Sequence, residues 1–184
     1  MIRASRASDM DGIVGIWLDA NLRAHSFIPA EYWKDNLGYV REAIALAEVH
    51  VYEDERGVQG FIGLDGGHVE GLFVAAGMRS RGIGRRLLDH AKRGRDRLVL
   101  EAYRRNTRAV SFYQREGFEI QGEGPDARTG EMEYSMIWRR DRRTDAGHED
   151  PLRHVLPGDV AAAATGHRRG QSSTAARSHS SVGR

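Results

Sequence analysis

The stretch RSRGIGRRLLDHAK, residues 79–92, places Gly82 and Gly84 among Arg79, Arg81, Arg85 and Arg86, where a helical pattern begins. Ile83, Leu87, Leu88 and Ala91 recur close to the helical period, so this helix is expected to pack one face on a core with its N-terminus open. An open N-terminus presents unpaired backbone N–H groups and a partial positive charge. Glycines there remove Cβ atoms and let an anion touch the backbone, and arginines add forked donors that match phosphate oxygens. Arg79, Ser80, Arg81, Gly82, Ile83, Gly84 and Arg85 therefore read as a cradle for a pyrophosphate, the alternative being a turn with solvated arginines. No Gly-Lys-Ser/Thr follows, which excludes a Walker loop, and the third glycine of the dinucleotide fingerprint is missing.

The elements around this loop alternate. Residues 1–6 fit a strand, and 9–23 fit a helix with Ile13, Ile16, Trp17 and Ala20 on one face. HSFIPAEYW reads as a loop with Pro29 near the start of a second helix, which runs to about Ala47. VHVYED and GVQGFIGLDG form a hairpin through DERG, and HVEGLFV is a fourth strand. After the glycine loop and its helix, RLVLEAY is a fifth strand. A helix over 106–116 follows, with Asn106 as N-cap and Gly117 as its stop. FEIQGEG and EMEYSMIW finish as two antiparallel strands. This order predicts an α/β fold, a mixed sheet with helices on both faces and one parallel crossover over residues 68–103.

The 184 residues suffice for one domain and an appendage. There is no cysteine, which excludes disulfides, zinc–thiolate sites and a covalent cysteine intermediate, and no metal site is expected. No apolar run approaches the ~18 residues of a transmembrane helix, and MIRASRASDMDG has no signal-peptide core. The expectation is a soluble cytoplasmic protein with no membrane partner. Residues 139–184 carry nine arginines against five acids, a local +4, whereas the first 138 residues carry 19 basic against 21 acidic groups, a local −2. The boundary is placed at 139: a folded domain over 1–139 and a basic tail over 140–184, whose composition predicts disorder.

Two blocks resemble the GNAT acetyltransferase superfamily. FVAAGMRSRGIGRRLLDHAK is similar to its acetyl-coenzyme A loop, Arg/Gln-x-x-Gly-x-Gly/Ala between a strand and a helix, matched by Arg79, Gly82 and Gly84. LVLEAYRRNTRAVSFYQREGF resembles its second block, matched by Leu100, Glu101, Asn106, Ala109, Phe112, Tyr113, Gly117 and Phe118. AHSFIPAEYW is similar to a loop of small bacterial members of unassigned substrate. The resemblance covers residues 1–138 and implies a GNAT-type fold, a central mixed six- to seven-stranded sheet flanked by about four helices. It also implies transfer of an acetyl group from acetyl-coenzyme A (acetyl-CoA), as co-substrate, to a primary amine.

Without cysteine, direct attack by the amine in a ternary complex is the simpler route. Tyr113 matches the tyrosine that lies beside the sulfur in the family. A phenol, with an ordinary pKa of about 10 against about 8.5 for a thiol, is protonated at neutral pH and able to donate to the departing thiolate. Its alternative reading is a core aromatic spaced with Ala109 and Phe112. For the general base the resemblance points first to Glu101 on the fifth strand, then to the fourth strand with Glu70 and His68, which alternate with Val69 and share a face. His68 has an ordinary pKa suited to proton transfer near neutrality, and a base acting through water is also open. In the family the strand end Leu72, Phe73 and Val74 binds the pantetheine arm through its backbone. Asn106 either caps its helix or reaches the cofactor.

The acceptor side is expected from the first two helices and their loop, where His25, Phe27 and Trp33 are the candidate contacts beside Trp17 and Tyr32. Aromatic walls suit an amine through cation–π contact and equally suit core packing, which explains Trp17. The acceptor is a small molecule or a protein amine, and the chain is expected as monomer or homodimer. The rival readings are a catalytically silent acyl-coenzyme A binder and a nucleic-acid-binding module. Against the latter stand the local −2 of the body and the absence of a recognised nucleic-acid motif.

Overall fold

A computed structural model describes residues 1–141. The predicted tail, 140–184, lies outside the described residues except for its first two positions. In chain order the elements are β1 (Ile2–Ala4), α1 (Met10–Ala24), α2 (Ala30–Asp35), α3 (Leu37–Leu46), β2 (Glu48–Asp54), β3 (Gly57–Asp65) and β4 (His68–Val74). They continue with α4 (Ile83–Lys92), β5 (Arg97–Tyr103), α5 (Thr107–Arg115), β6 (Glu119–Pro125) and β7 (Met132–Arg139). No helix among the described residues is long and apolar enough to cross a membrane.

The seven strands form one sheet in the order β1-β2-β3-β4-β5-β7-β6. Every neighbouring pair is antiparallel except β4 and β5. The mixed sheet with a single parallel crossover is as the element order predicted.

Alternation along β5 sends Leu98, Leu100 and Ala102 to one face, where they bury against Ile83, Leu87, Leu88 and Ala91 of α4 and Val110 and Tyr113 of α5. The opposite face carries α1, α2 and α3. There Ile13 packs with Val49, Val51 and Phe61, and Trp33 and Ile28 pack on Tyr103 of β5. Truncating a fully buried leucine such as Leu87 or Leu100 to alanine should cost about 2–5 kcal/mol.

The second predicted helix is broken in two. Asn36 donates its Nδ2 to the carbonyl of Tyr32 at 2.6 Å. A short amide that competes for helical carbonyls ends one helix and starts the next at the same residue. Five α-helices therefore flank the sheet rather than about four, and Ala30–Trp33, read as loop, is helical.

Candidate active site

The site lies where β4 and β5 part. Their one registered pair is His68 with Val99, reinforced by Val99 N–H on the Gly67 carbonyl at 2.9 Å. Beyond it the strands diverge, so the β4 edge through Leu72, Phe73 and Val74 has backbone partners on β3 but none on β5. The pairing with β3 also slips: Leu64 faces Val69 and Gly63 faces Gly71, which leaves Glu70 as the extra residue of a bulge. The bulge reverses the alternation, so Val69 and Leu72 both point toward α4 while Phe73 points toward α1.

The glycine loop ends at the mouth of this opening. Ser80 (φ 63°) and Gly82 (φ 79°) both have left-handed backbone, and Gly82 is the N-cap of α4. No side chain caps that helix, and its first backbone bond is Arg86 N–H to Gly82 O at 3.0 Å. The N–H groups of Ile83, Gly84 and Arg85 are therefore left for a ligand. A Cβ on Gly82 would enter open space, whereas one on Gly84 would sit 3.3 Å from Leu72 Cδ2 and 3.5 Å from Phe112 Cζ. Gly82 thus provides the left-handed turn and leaves open space beside the uncapped amides, and Gly84 provides close packing of α4 on β4 and α5.

The arginines differ in use. Arg79 Nε donates to the Val74 carbonyl at 3.2 Å and ties the loop to the end of β4. Arg81 is exposed, and Arg85 is 3.8 Å from both Asp89 and Glu116. Arg108 of α5, not among the sequence candidates, donates to Ser80 Oγ at 3.3 Å and adds a cation to the cradle. These features fit the pyrophosphate and pantetheine of acetyl-CoA: uncapped amides, local positive charge and an unpaired strand edge.

Asn106 is the N-cap of α5: its Oδ1 accepts from Ala109 N at 3.2 Å. Its Nδ2 lies 3.0 Å from His25 Nε2, and His25 Nδ1 lies 2.9 Å from Asn21 Oδ1. Asn21 Nδ2 donates to the Trp17 carbonyl, so its Oδ1 accepts from His25 and the imidazole is neutral with its proton on Nδ1. Burial holds the His25 pKa down to about 4. The chain of amides and imidazole ties α1 to the start of α5. At the other end of α5, Gly117 (φ 85°) turns the backbone so that Phe118 N–H reaches the Tyr113 carbonyl at 2.9 Å and Gly117 N–H reaches Gln114 O at 3.0 Å. Both ends of the helix that carries Tyr113 are thereby fixed.

His68, Glu70 and Glu101 meet at the floor of the opening. His68 Nδ1 stands 3.0 Å from Glu70 Oε1, and His68 Nε2 stands 2.6 Å from Glu101 Oε2. Burial alone would lower the His68 pKa, but the hydrogen bonds to Glu101 and Glu70 outweigh it and push the imidazole up to about 9. At neutral pH His68 is an imidazolium between two carboxylates, so the reading of it as a neutral base does not match its surroundings.

A cavity of about 90 Å³ runs through the opening. Tyr113, Ala109 and Leu72 line it from the α4–α5 side, His25 and Trp33 from the α1–α2 side, with Glu70, Glu101 and Glu133 around it. Tyr113 is packed edge-on against Phe112 and Phe118, and burial raises its phenol pKa so that it stays protonated at all ordinary pH. A groove of about 770 Å³ opens on the helix α1–α3 side and shares Trp33, Glu70, Gly71 and Phe73 with the cavity. Trp33 is 2% exposed, and its indole Nε1–H has no partner among the described residues. Phe27 has the guanidinium of Arg105 over its ring, 4.4 Å from the centroid, so that face is already covered.

Glu133 was not among the sequence candidates. It sits on β7 opposite Tyr103, a position set by insertion of β7 between β5 and β6, which no local signal announces. The Tyr103 hydroxyl in turn donates to buried Asp126, which orders the β6–β7 turn by accepting from Arg128 N and Thr129 Oγ1, both at 2.9 Å.

Residues 45–120 match the Acetyltransferase (GNAT) domain family. The chain is 36% identical over 122 residues to the peptidyl-lysine N-acetyltransferase YiaC of Escherichia coli strain K12, a match spanning 65% of this chain and 84% of the relative. The solution structure of apo YjaB from Escherichia coli superposes with a TM-score of 0.67 at 30% identity, covering 74% of this chain and 95% of that one. The yncA protein of Salmonella typhimurium, solved with its cofactor acetyl-CoA, shares the fold with a TM-score of 0.55 at 22% identity, covering 83% of this chain and 98% of that one.

Proposed function

The chain belongs to the GNAT acetyltransferase family and is an N-acetyltransferase that uses acetyl-CoA; from that premise we propose that its acceptor is the ε-amine of a lysine in a protein, which attacks the thioester directly in a ternary complex. One observation carries the lysine reading. The wide groove on the helix α1–α3 side and the small cavity at the β4–β5 opening adjoin, sharing Trp33, Glu70, Gly71 and Phe73 in their walls. In this reading a peptide lies in the groove while one long, thin side chain reaches past these four residues. Of the groove's carboxylates Glu48 is paired with Arg95 and Glu70 with His68, while Glu42 and Asp65 stand against Arg128, a balance that suits a cationic acceptor. YiaC, a relative at 36% identity, is a peptidyl-lysine N-acetyltransferase, which supports the same acceptor class.

In this proposal the diphosphate rests on the N–H groups at the start of α4, within Arg79, Ser80, Arg81, Gly82, Ile83, Gly84 and Arg85, and the pantetheine arm runs along Leu72, Phe73 and Val74. Glu70 and Glu101, with one imidazolium between them, leave a net negative charge that draws the ammonium toward the opening. Trp33 offers its unpaired indole N–H and His25 shapes the wall beside it, whereas Phe27 packs behind His25 and lines neither the cavity nor the groove. Tyr113, on the opposite side, protonates the departing thiolate. Asn106 contributes by fixing α5, its amide being committed to Ala109 and His25. The folded unit that does this is residues 1–139, with Arg140 still bonded to the Asp96, Lys92 and Arg95 carbonyls.

The test is an acceptor panel read by thiol release and mass spectrometry: peptides with a blocked N-terminus and free lysine, peptides with a free N-terminus and no lysine, and small polyamines. Acetylation of the first set is expected. Turnover confined to either of the other two would replace lysine as the acceptor.

A further inference from the structure

We propose that Glu133 is the general base that takes the proton from the acceptor amine. The inference rests on the reading that the chain acetylates an amine, and it concerns a residue that neither the family pattern nor the sequence points to. Glu133 is the cross-strand partner of Tyr103, and Glu101 lies two residues before Tyr103 on β5. The three side chains therefore share the face of the sheet that carries α1 and α2. Glu133 lines the small cavity at the opening, which Tyr113 lines from the α4–α5 side. Base and acid thus stand on opposite sides of one cavity, one toward the incoming amine and one toward the sulfur.

The other carboxylates there are engaged. Glu101 and Glu70 each already bond a ring nitrogen of His68. The Glu133 carboxylate makes no hydrogen bond or ion pair among the described residues, so its oxygens are free to receive a proton. The groups that face it are Glu101 and Tyr103 from β5, His68 from β4, Asp126 from the β6–β7 turn, and His25 and Tyr113 across the cavity. Burial first, then the negative charges of Asp126 and Glu101, push its carboxyl up to about 7, with His68 acting in the opposite sense. A base titrating near the working pH is the most effective kind.

The protons and electrons balance as follows. Glu133 takes one proton from the ammonium, and the freed nitrogen pair forms the N–C bond as the carbonyl pair moves to oxygen. Collapse re-forms C=O and breaks C–S, and the sulfur receives the Tyr113 proton. The second nitrogen proton returns to Tyr113, and Glu133 releases its proton to solvent.

The test is Glu133→Gln beside Glu133→Asp, assayed from pH 5.5 to 9.5 with acetyl-CoA and a blocked lysine peptide, or whichever amine the panel turns over. The wild type is expected to show an acidic limb in kcat/KM near pH 7. Glu133→Gln should lose that limb and about 10²- to 10⁴-fold in rate at pH 7, with unchanged acetyl-CoA affinity, and Glu133→Asp should restore the limb. A limb and rate retained in Glu133→Gln would overturn the proposal while leaving the acetyltransferase reading intact. In the wild-type chain without acceptor, a carboxyl ¹³C titration at Glu133 is expected near 7. Titration near 4 would equally overturn the proposal, whatever the peptide panel shows.

Discussion

His68 Nε2 and Glu101 Oε2 stand 2.6 Å apart where β4 and β5 begin to part, with Glu70 holding the other ring nitrogen. The contact bridges the last point at which the two strands are registered, His68 with Val99. It therefore does two things: it ties the two strands where the opening starts, and it places a partly buried positive charge between two negative ones.

The pairing has a pH signature. A histidine raised to about 9 in the folded chain, from an ordinary value of about 6.5, binds more protons folded than unfolded between those values. Its contribution is full below about pH 6.5 and is lost as pH rises through about 9, with an upper size of about 3 kcal/mol. The melting temperature is expected to fall between pH 7 and 9.5, and His68→Gln should remove most of that slope. A wild-type curve parallel to that of His68→Gln would show that the cluster does not hold His68 charged.

His25 carries the opposite sign. Its folded pKa is depressed to about 4, so below about pH 6.5 the unfolded chain binds the extra proton and folding weakens until about pH 4. The full size is again about 3 kcal/mol. His25→Gln is expected to flatten the stability curve between pH 6.5 and 4 relative to the wild type, measured by chemical denaturation at each pH. An unchanged slope would assign the acid loss to other groups. The summed contribution of the two histidines is greatest near pH 6.5, because one contributes fully above it and the other fully below.

Much of this site is legible in sequence where the signal is local. The stripe Ile83, Leu87, Leu88, Ala91 specifies which face of α4 is buried, and Asn106 and Gly117 mark the ends of α5 by cap chemistry and left-handed backbone. Signals that depend on pairing between distant strands are not legible. EMEYSMIW reads as a closing antiparallel strand, and nothing within it places Glu133 beside Tyr103; only the sheet order does. Glu70 is displaced by a bulge that appears only in the register with β3. The break at Asn36 is a competition between one side-chain amide and the helix, too small a difference to read from composition.

The two glycines of the loop should respond differently. Gly82→Val must hold a branched residue at φ 79°, a strain of about 1–2 kcal/mol, and its side chain would occupy the open space beside the uncapped amides. Losing one charge-assisted hydrogen bond is worth about 1.5–3 kcal/mol, so acetyl-CoA affinity should drop about 10- to 100-fold by isothermal titration. Gly84→Ala instead meets Leu72 Cδ2 at 3.3 Å, so its effect falls on the packing of α4 against β4 rather than on the open space beside the amides. Equal affinity in Gly82→Val and wild type would remove the loop from the phosphate site.

Tyr113→Phe isolates a hydroxyl. The ring keeps its edge-on contacts with Phe112 and Phe118, and the Schellman bonds at the end of α5 involve only backbone, so the melting temperature should barely move. Acetyl-CoA affinity should also hold, since the ring still fills its side of the cavity. What disappears, in the role proposed for Tyr113, is the proton offered to sulfur. Burial keeps that phenol protonated, so the wild-type profile should show no alkaline limb attributable to Tyr113 below about pH 10. General acid catalysis is typically worth about 10²- to 10⁴-fold, and kcat is expected to fall by that much when chemistry limits turnover. The loss should shrink with an acyl donor whose thiol is more acidic, because a better leaving group needs less help. A mutant with wild-type kcat on acetyl-CoA, in an assay where single-turnover rates match kcat, would leave solvent as the proton donor and reduce Tyr113 to a wall of the cavity.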